Sequence, residues 1–230
     1  TLAQILGGRK PALTPPAVPG WEPGSRWSYS NIGYTVIQLL LEDVTGKPFP
    51  RLAEEVLFRP LGMSSSSFSY PLPEAWRKRE AWPHDSNGHP RTPEQDGAAK
   101  TMGGLLTTPG DLALLTLDVV RAYQGVPNRI ISPETARLLV TRQTGVPTEA
   151  LGLPLSEGLG VFIDDTTQEV CFLHPGHNRP GTTFVVVAYP ALGKGAVIGV
   201  NGNIGDRLHL EILAALAIEY GWPSSQPFKR

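Results

Sequence analysis

The 230-residue chain is long enough for one large domain or two small ones, and its 40% hydrophobic and 18% charged residues are typical of a globular protein. A formal net charge of −1 excludes a general electrostatic attraction to nucleic acid or anionic membranes. The single cysteine, Cys171, excludes an intrachain disulfide and a multi-cysteine metal site, and no apolar run reaches the roughly 18–20 residues of a membrane span.

The first half of the chain is predicted to hold helices and loops. Residues 8–24 are rich in proline and glycine, a composition that predicts an extended loop. From Asn31 to about Thr45 apolar residues recur at helical spacing, and Gly46 is placed to cap the C-terminus of this helix. Residues 50–58 predict a second, shorter helix. The apolar positions of the first helix are Ile32, Val36, Leu39, Leu40 and Val44.

Two later helices share one type of N-terminus. Thr108 and Ser132 each precede a proline, Pro109 and Pro133, which suits the first helical position. A hydroxyl side chain at the capping position accepts a hydrogen bond from a backbone N–H of the first turn. Both segments are therefore predicted to begin helices.

The chain changes character after Gly158, where short β-branched or aromatic runs alternate with turn residues. Four such runs with short links predict an antiparallel sheet, and an amphipathic helix from about Asp206 to Tyr220 should lie on it. Because helices and antiparallel strands are segregated along the chain, the fold class is predicted as α+β. Residues 1–157 would form the helical and loop region and residues 158–230 the sheet region of one structural unit.

A tyrosine, a serine and an asparagine, Tyr29-Ser30-Asn31, stand directly before the predicted helix. Taken alone, this tripeptide is explained by a polar turn in which Ser30 or Asn31 caps the helix. Short motif matches are common, so the tripeptide by itself favours that structural explanation over an active site.

A second candidate is the sequence His174-Pro175-Gly176, which follows a predicted strand. Taken alone, it is explained by a tight connection with a partly exposed histidine. Proline has no N–H to donate, however, so a proline in or beside a strand indicates a sheet edge. An edge strand that carries histidine and glycine borders open space, which a cleft can use.

Other kinds of site find little support. His84 and His89 lie in a polar loop, and with His177 they do not form a ligand set with a recognisable spacing, so no metal is expected. The sequence has no G-x-S-x-G elbow of an α/β-hydrolase, and no G-x-G-x-x-G follows a predicted strand. We therefore expect no cofactor.

Six segments of the chain nevertheless fit one family together. They resemble the serine β-lactamase-related superfamily, in particular its class C β-lactamases, D,D-peptidases and esterases, and the resemblance runs from Thr1 to about Tyr220. The family uses three motifs: S-x-x-K, then Y-x-N, and then K-T-G or H-x-G. The second is matched by Tyr29-Ser30-Asn31 and the third by His174-Pro175-Gly176. The segments are PGSRWSYSNIGYTVIQLLLEDVTGKPF, RPLGMSSSSF, TMGGLLTTPGDLALL, EGLGVFID, HPGHNRPGTTF and AVIGVNGNIGD.

The resemblance implies a role for each matched residue. A serine hydroxyl is a poor nucleophile until a neighbouring group accepts its proton, and Tyr29 would accept or relay that proton. Asn31 would orient the motif lysine and the substrate carbonyl, and His174 would supply positive charge or a hydrogen bond. Gly176 and His177 would be substrate-binding residues, and the backbone N–H of His177 would form half of the oxyanion hole.

The first motif is missing from the chain. None of the residues three positions before the six lysines is a serine, so there is no S-x-x-K. The resemblance implies that the nucleophile lies upstream of these residues. We therefore expect an N-terminal segment to be present as a separate chain or to be replaced by a second copy, and we expect the chain alone to be inactive. The residues in question are Gly7, Val44, Ala75, Gly97, Ala191 and Gln226.

The resemblance implies a serine hydrolase that acts through an acyl-enzyme on an ester, a β-lactam or a D-amino-acid peptide. His174 in place of lysine favours the esterase and peptidase side, because lysine pairs better with a β-lactam carboxylate. The alternative is a non-catalytic, penicillin-recognising binding module, which the missing nucleophile supports. Location stays open between periplasmic or secreted, as in much of the family, and cytoplasmic, as in some esterases of this type.

Overall fold

The computed structural model describes residues 1–223 except 11, 13, 94–96, 144–147, 151–152, 167, 179–180 and 204. The described residues form two compact units. The first comprises the described residues within Thr1–Glu80 and Glu94–Thr107, and the second comprises those within Ala81–Pro93 and Thr108–Arg230. Among the helices of the described residues, none is both long and apolar enough to cross a membrane.

The first unit is helical. Its longest element is α2, which confirms the helix predicted from Asn31 to Thr45 and ends at Gly46 in the left-handed conformation, with φ of 64°. A left-handed residue favours glycine, because other side chains are strained there. The helices of this unit are α1 (Leu2–Leu6), α2 (Asn31–Thr45), α3 (Phe49–Ala53), α4 (Arg59–Leu61) and α5 (Glu74–Arg77).

The second helical segment is longer than the residues 50–58 predicted from the sequence. A π-helical turn over Glu54–Phe58 joins α3 to α4, so that the segment ends at Leu61. The Arg59 N–H donates to the carbonyl of Glu54, five residues back. Pro60 has no N–H to donate to the preceding turn, and the helical backbone continues through it to Leu61.

The buried face of α2 differs from the apolar face of its sequence. Thr35 and Gln38 are buried. The opposite side is a stripe of exposed apolar side chains, which we call the α2 stripe. Its members are Val36, Ile37, Leu40 and Val44, between 47% and 76% exposed. Helical periodicity thus predicts α2 correctly, but the face of α2 that is buried within this chain carries the polar residues Thr35 and Gln38.

The second unit is an antiparallel sheet with helices on both faces, which confirms the predicted α+β class. In the part of the chain that the structure describes, six strands follow one another in chain order across the sheet. The strands are β1 (Thr148–Ala150), β2 (Leu153–Glu157), β3 (Phe162–Asp164), β4 (Cys171–Asn178), β5 (Thr182–Tyr189) and β6 (Lys194–Val200), and the helices are α6 (Pro109–Tyr123), α7 (Pro133–Leu139) and α8 (Gly205–Glu219).

Alternate residues of β5 face different helices, as the two-residue period of a strand requires. On one face Ala188 packs in a buried cluster with Val119 and Val120 of α6. On the other face Thr183 meets His209 of α8. The predicted C-terminal helix therefore does lie on the sheet.

Two strands precede residue 158, within the stretch predicted to hold helices and loops. β1 pairs with β2, and β2 pairs with β3 through Ser156 and Glu157. Both strands are short, and β2 contains Pro154. A proline and a length of three to five residues leave little alternation to recognise, so that only pairing with a neighbour identifies them as strands.

Candidate active site

The Y-x-N motif forms the start of α2. Ser30 has an extended backbone, and its hydroxyl oxygen accepts a hydrogen bond of 3.0 Å from the Gly33 N–H. Ser30 is therefore the N-cap, one of the two residues that the sequence offered. Tyr29 and Asn31, on either side of the cap, are exposed, and Tyr29 keeps 54% of its surface accessible. The Tyr29 ring lies tilted against Trp27, with 6.5 Å between the ring centroids.

A buried amide fixes the helix that follows this motif. The Gln38 amide nitrogen donates to the Glu42 carboxylate and to the Ala98 carbonyl, both at 3.0 Å. The amide oxygen of Gln38 accepts from the Lys100 N–H at 2.7 Å. A fully satisfied buried amide constrains both of its neighbours, because losing one partner leaves a desolvated polar group unpaired. Gln38 is not among the residues singled out from the sequence; its signal there is a polar residue between the apolar positions of α2.

The H-x-G motif lies in the middle of strand β4. His174 is partly buried, and its ring lies 5.8 Å from the ring of Phe162, measured between centroids. Burial lowers the pKa of His174, and a hydrogen bond with the backbone of Pro175 opposes that shift to a smaller extent. The neutral imidazole is therefore favoured. This environment suits a hydrogen-bonding role better than the positive charge that the sequence analysis also considered.

Strand β4 extends beyond its neighbour β3. β3 pairs only with Cys171–Leu173, whereas β5 pairs with β4 from Phe172 to Asn178. In the described residues no strand pairs with the rest of β4 on the β3 side. Although β4 is an interior strand by order, its second half is locally an edge, as Pro175 predicts.

The position of Pro175 also indicates where the N–H of His177 points. Successive N–H groups of a strand point to opposite neighbours, so residues 175 and 177 point the same way. Because proline has no N–H, its nitrogen is expected to point away from the paired neighbour, which here is β5. The N–H of His177 consequently faces the side that β3 does not reach. Both Gly176 and His177 are exposed.

Packing within the chain does not account for glycine at position 176. A Cβ built at Gly176 would come no closer than 3.9 Å to Phe184, an ordinary van der Waals contact. Gly176 is also not among the glycines with positive φ. Its missing side chain thus leaves space beside the strand rather than relieving strain within it.

The structure groups the predicted residues into two sets. Tyr29 and Asn31 lie together at the start of α2 in the first unit, and His174, Gly176 and His177 lie on β4 in the second. Of the remaining histidines considered, His84 bonds through Nδ1 to the Asn201 carbonyl at 3.0 Å. Across the described part of the chain, no three histidine, cysteine or carboxylate residues group into a possible metal site.

Comparison with known proteins bears on both sets. Residues 14–219 match the protein family described as Beta-lactamase, a range that includes both motifs. A protein of Escherichia coli O157:H7 that is provisionally named a D-alanyl-D-alanine carboxypeptidase is 26% identical over 154 residues. The aligned residues make up 57% of this chain and 35% of that protein, so the chain spans about a third of its curated relative.

Solved structures share the fold. The octameric penicillin-binding protein homologue from Pyrococcus abyssi is similar with a TM-score of 0.69 and 23% identity, covering 95% of this chain and 47% of its own. A β-lactamase/D-alanine carboxypeptidase from Pseudomonas syringae reaches a TM-score of 0.70 at 15% identity, over 90% of this chain and 63% of its own. The resemblance found in the motifs is thereby confirmed, and because the family match spans most of the sequence, the chain belongs to the beta-lactamase family.

Proposed function

We propose that this chain is part of a serine hydrolase that acts through an acyl-enzyme on an ester, a β-lactam or a D-amino-acid peptide. The observation that carries the proposal is the family match over residues 14–219, which runs through both Tyr29-Ser30-Asn31 and His174-Pro175-Gly176. In the reaction, a serine oxygen attacks the substrate carbonyl, its proton passes to the departing group, and water then hydrolyses the serine ester.

Tyr29 is proposed to accept the serine proton and to relay it to the leaving group, and Asn31 is proposed to orient the lysine and the substrate. The cap supports these roles, because the Ser30 side chain is bonded to the Gly33 N–H of the helix while its neighbours Tyr29 and Asn31 remain exposed. A general base at this step contributes roughly 10²–10⁴-fold to a reaction rate.

His174 is proposed to act as a hydrogen-bonding group rather than as a cation, since burial lowers its pKa. A lysine at this position would form an ion pair with a substrate carboxylate. A neutral imidazole can offer that carboxylate only a hydrogen bond. The substitution therefore favours ester and peptide substrates over β-lactams.

Gly176 and His177 are proposed to bind the substrate carbonyl. The His177 N–H would donate to the oxyanion, and the glycine would let the substrate lie close to the strand. The direction of the N–H, towards the side that β3 does not reach, supports this role. One oxyanion donor is worth about 10²–10³ in rate.

The serine and lysine are proposed to come from a segment outside these 230 residues, present as a separate chain. A second copy of this chain also lacks S-x-x-K, so it would replace only the structural cover that this segment provides. The absence of S-x-x-K and the exposed α2 stripe both support a separate segment. Size-exclusion chromatography with intact mass tests it. A monomer of 24.8 kDa without a bound peptide would contradict both a separate chain and a second copy.

The activity itself is tested with a fluorophosphonate probe and with p-nitrophenyl acetate. Residues 1–230 should neither react with the probe nor hydrolyse the ester. A protein in which an S-x-x-K segment encoded upstream is joined to these residues should do both. Equal activity of the two preparations would show that the nucleophile has been assigned to the wrong place.

The second candidate is a non-catalytic module that binds a penicillin-like ligand or a partner without turnover. It is favoured by the same missing S-x-x-K. The coding sequence ahead of Thr1 separates the two candidates. An in-frame S-x-x-K supports the hydrolase, whereas a degraded motif supports the binding module.

A further inference from the structure

The residue opposite His177 in the sheet is Thr183 of β5. Thr183 is fully buried, at 0% exposure, while His177 lies at the surface. Directly opposed residues are the closest points of two antiparallel strands. A shift of Thr183 would therefore move the backbone of His177 with it.

Helix α8 presses directly on Thr183. A Cβ built at Gly205, the first residue of α8, would lie 1.7 Å from the Thr183 hydroxyl oxygen, so only glycine fits there without a movement of one element. His209 follows four residues later on the same helix face and is 4% exposed. Its Nε2 lies 3.5 Å from the same oxygen of Thr183.

We propose that Thr183, held between Gly205 and His209 of α8, is a positioning residue for the backbone N–H of His177. The inference rests on the proposed role of that N–H as an oxyanion donor. Contacts lead from the first turn of α8 to Thr183 and from Thr183 across the β4–β5 ladder to His177. The helix thereby sets the position of a donor that it does not touch.

The hydroxyl is the feature that separates positioning from plain packing. Along β5 the next two residues facing the same side are Val185 and Val187, both buried. Thr183 has the shape of valine but adds one directional polar contact, to His209. Burying a hydroxyl costs free energy unless it forms a hydrogen bond. A hydrogen bond depends on the orientation of its two groups, so it restricts their relative position more than an apolar contact does.

A pair of glycine variants tests the contact with α8 in the 230-residue chain. Gly205→Ala adds a methyl group against Thr183, whereas Gly202→Ala, three residues earlier, adds one with nothing within 4 Å. In ¹H–¹⁵N spectra we expect the backbone signals of Thr183 and His177 to shift in Gly205→Ala and to stay in place in Gly202→Ala. A Gly205→Ala spectrum in which α8 shifts and His177 does not would overturn the proposal.

A pair of threonine variants tests the hydroxyl and serves also if Gly205→Ala does not fold. Thr183→Val keeps the shape and removes the hydroxyl, and Thr183→Ser keeps the hydroxyl. We expect the His177 signal to move in Thr183→Val and to return in Thr183→Ser. In the joined protein with an S-x-x-K segment, Thr183→Val should lower kcat about 10-fold with KM within about twofold, and Thr183→Ser should restore kcat.

The two readouts separate this inference from the proposed reaction. If the joined protein turns over substrate and Thr183→Val leaves kcat unchanged, the positioning role of Thr183 is wrong and the proposed hydrolase function stands. Absence of turnover, together with a His177 signal that follows Gly205→Ala, would remove the reaction and leave only a mechanical link between α8 and β4. Equal losses in Thr183→Val and Thr183→Ser would assign the effect to packing and overturn the role of the hydroxyl.

Discussion

The start of α2 and the second half of β4 carry the two family motifs. One motif is stabilised by contacts within its own segment and the other by contacts with a different strand. At α2 the bond that defines the motif joins Ser30 to Gly33, three residues away in the sequence. At β4 each residue from His174 to Asn178 is paired with a residue of β5, so its position depends on another strand. The first motif is thus a local structure and the second a product of the assembled sheet.

This difference affects what each motif can tolerate. A capped helix start leaves both neighbouring side chains exposed, and it depends on few contacts. A strand in a ladder is constrained residue by residue, and changes in a neighbouring element reach its backbone. We therefore expect substitutions at α2 to act locally and changes near β4 to act through its neighbours.

Replacement of Tyr29 by phenylalanine tests whether the exposed, locally held motif carries chemistry. In the protein joined to an S-x-x-K segment, we expect kcat for p-nitrophenyl acetate to fall by about 10² or more, because the hydroxyl that accepts the proton is lost. Tyr220→Phe removes a hydroxyl from another exposed tyrosine and should leave kcat unchanged. Unchanged turnover in Tyr29→Phe would remove Tyr29 from the mechanism.

Replacement of Gln38 by alanine tests the long-range contact of α2. The variant leaves the Ala98 carbonyl and the Lys100 N–H without this partner, and we expect a loss of about 3 kcal/mol in the free energy of unfolding. Urea denaturation measures it, with the exposed Gln168→Ala as the control. If both variants were equally stable, α2 would be held by its local bonds alone.

Replacement of Ser30 by alanine tests the local contact. Loss of the cap leaves the Gly33 N–H without its side-chain acceptor and should lower stability by about 1 kcal/mol. Ser28→Ala, two residues earlier and also exposed, is the matched control. Thermal unfolding of the two variants gives the comparison, and a Ser28→Ala effect as large as that of Ser30→Ala would contradict the assignment of Ser30 as the cap.

The pH dependence of stability tests the environment of the strand motif and should be the smallest effect. Burial lowers the pKa of His174 below its ordinary value of 6.5. Well above that value the residue is neutral in both the folded and the unfolded chain. As the pH falls through 6.5, the unfolded chain takes up a proton before the folded chain does, and stability declines until the pH passes the folded pKa.

We therefore expect the free energy of unfolding to decrease between about pH 7.5 and about pH 5.5, and the decrease to be smaller in His174→Gln. His89→Gln, an exposed histidine, should retain the decrease of the unmodified chain. Identical pH profiles for His174→Gln and the unmodified chain would mean that the ring is not affected by burial in this way.

Elements specified by nearby residues were predictable from the sequence. The caps at Thr108 and Ser132 accept hydrogen bonds from the N–H groups of Asp111 and Thr135, as their patterns predict. Periodicity and a terminal glycine likewise give α2 its correct limits. In each case the decisive contact lies within three or four residues, so the sequence contains both partners in one short window.

Features that depend on distant residues were not predictable. The reach of β4 beyond β3 and the contact between α8 and Thr183 each join segments separated along the chain. The buried side of α2 is decided by Gln38 and the residues around Ala98, which no helical period reveals. The residues of both motifs were identified by resemblance, whereas their surroundings required the fold.

Pro175 has one further consequence, for the behaviour of the chain in crowded solution. The half of β4 that runs past β3 presents strand backbone to its surroundings, and such an edge can add a strand from another molecule. Pro175 lies within that stretch and supplies no N–H, so an incoming strand would meet a break in its ladder. The half of β4 that contains Pro175 is thus a poor template for intermolecular β-sheet growth and aggregation.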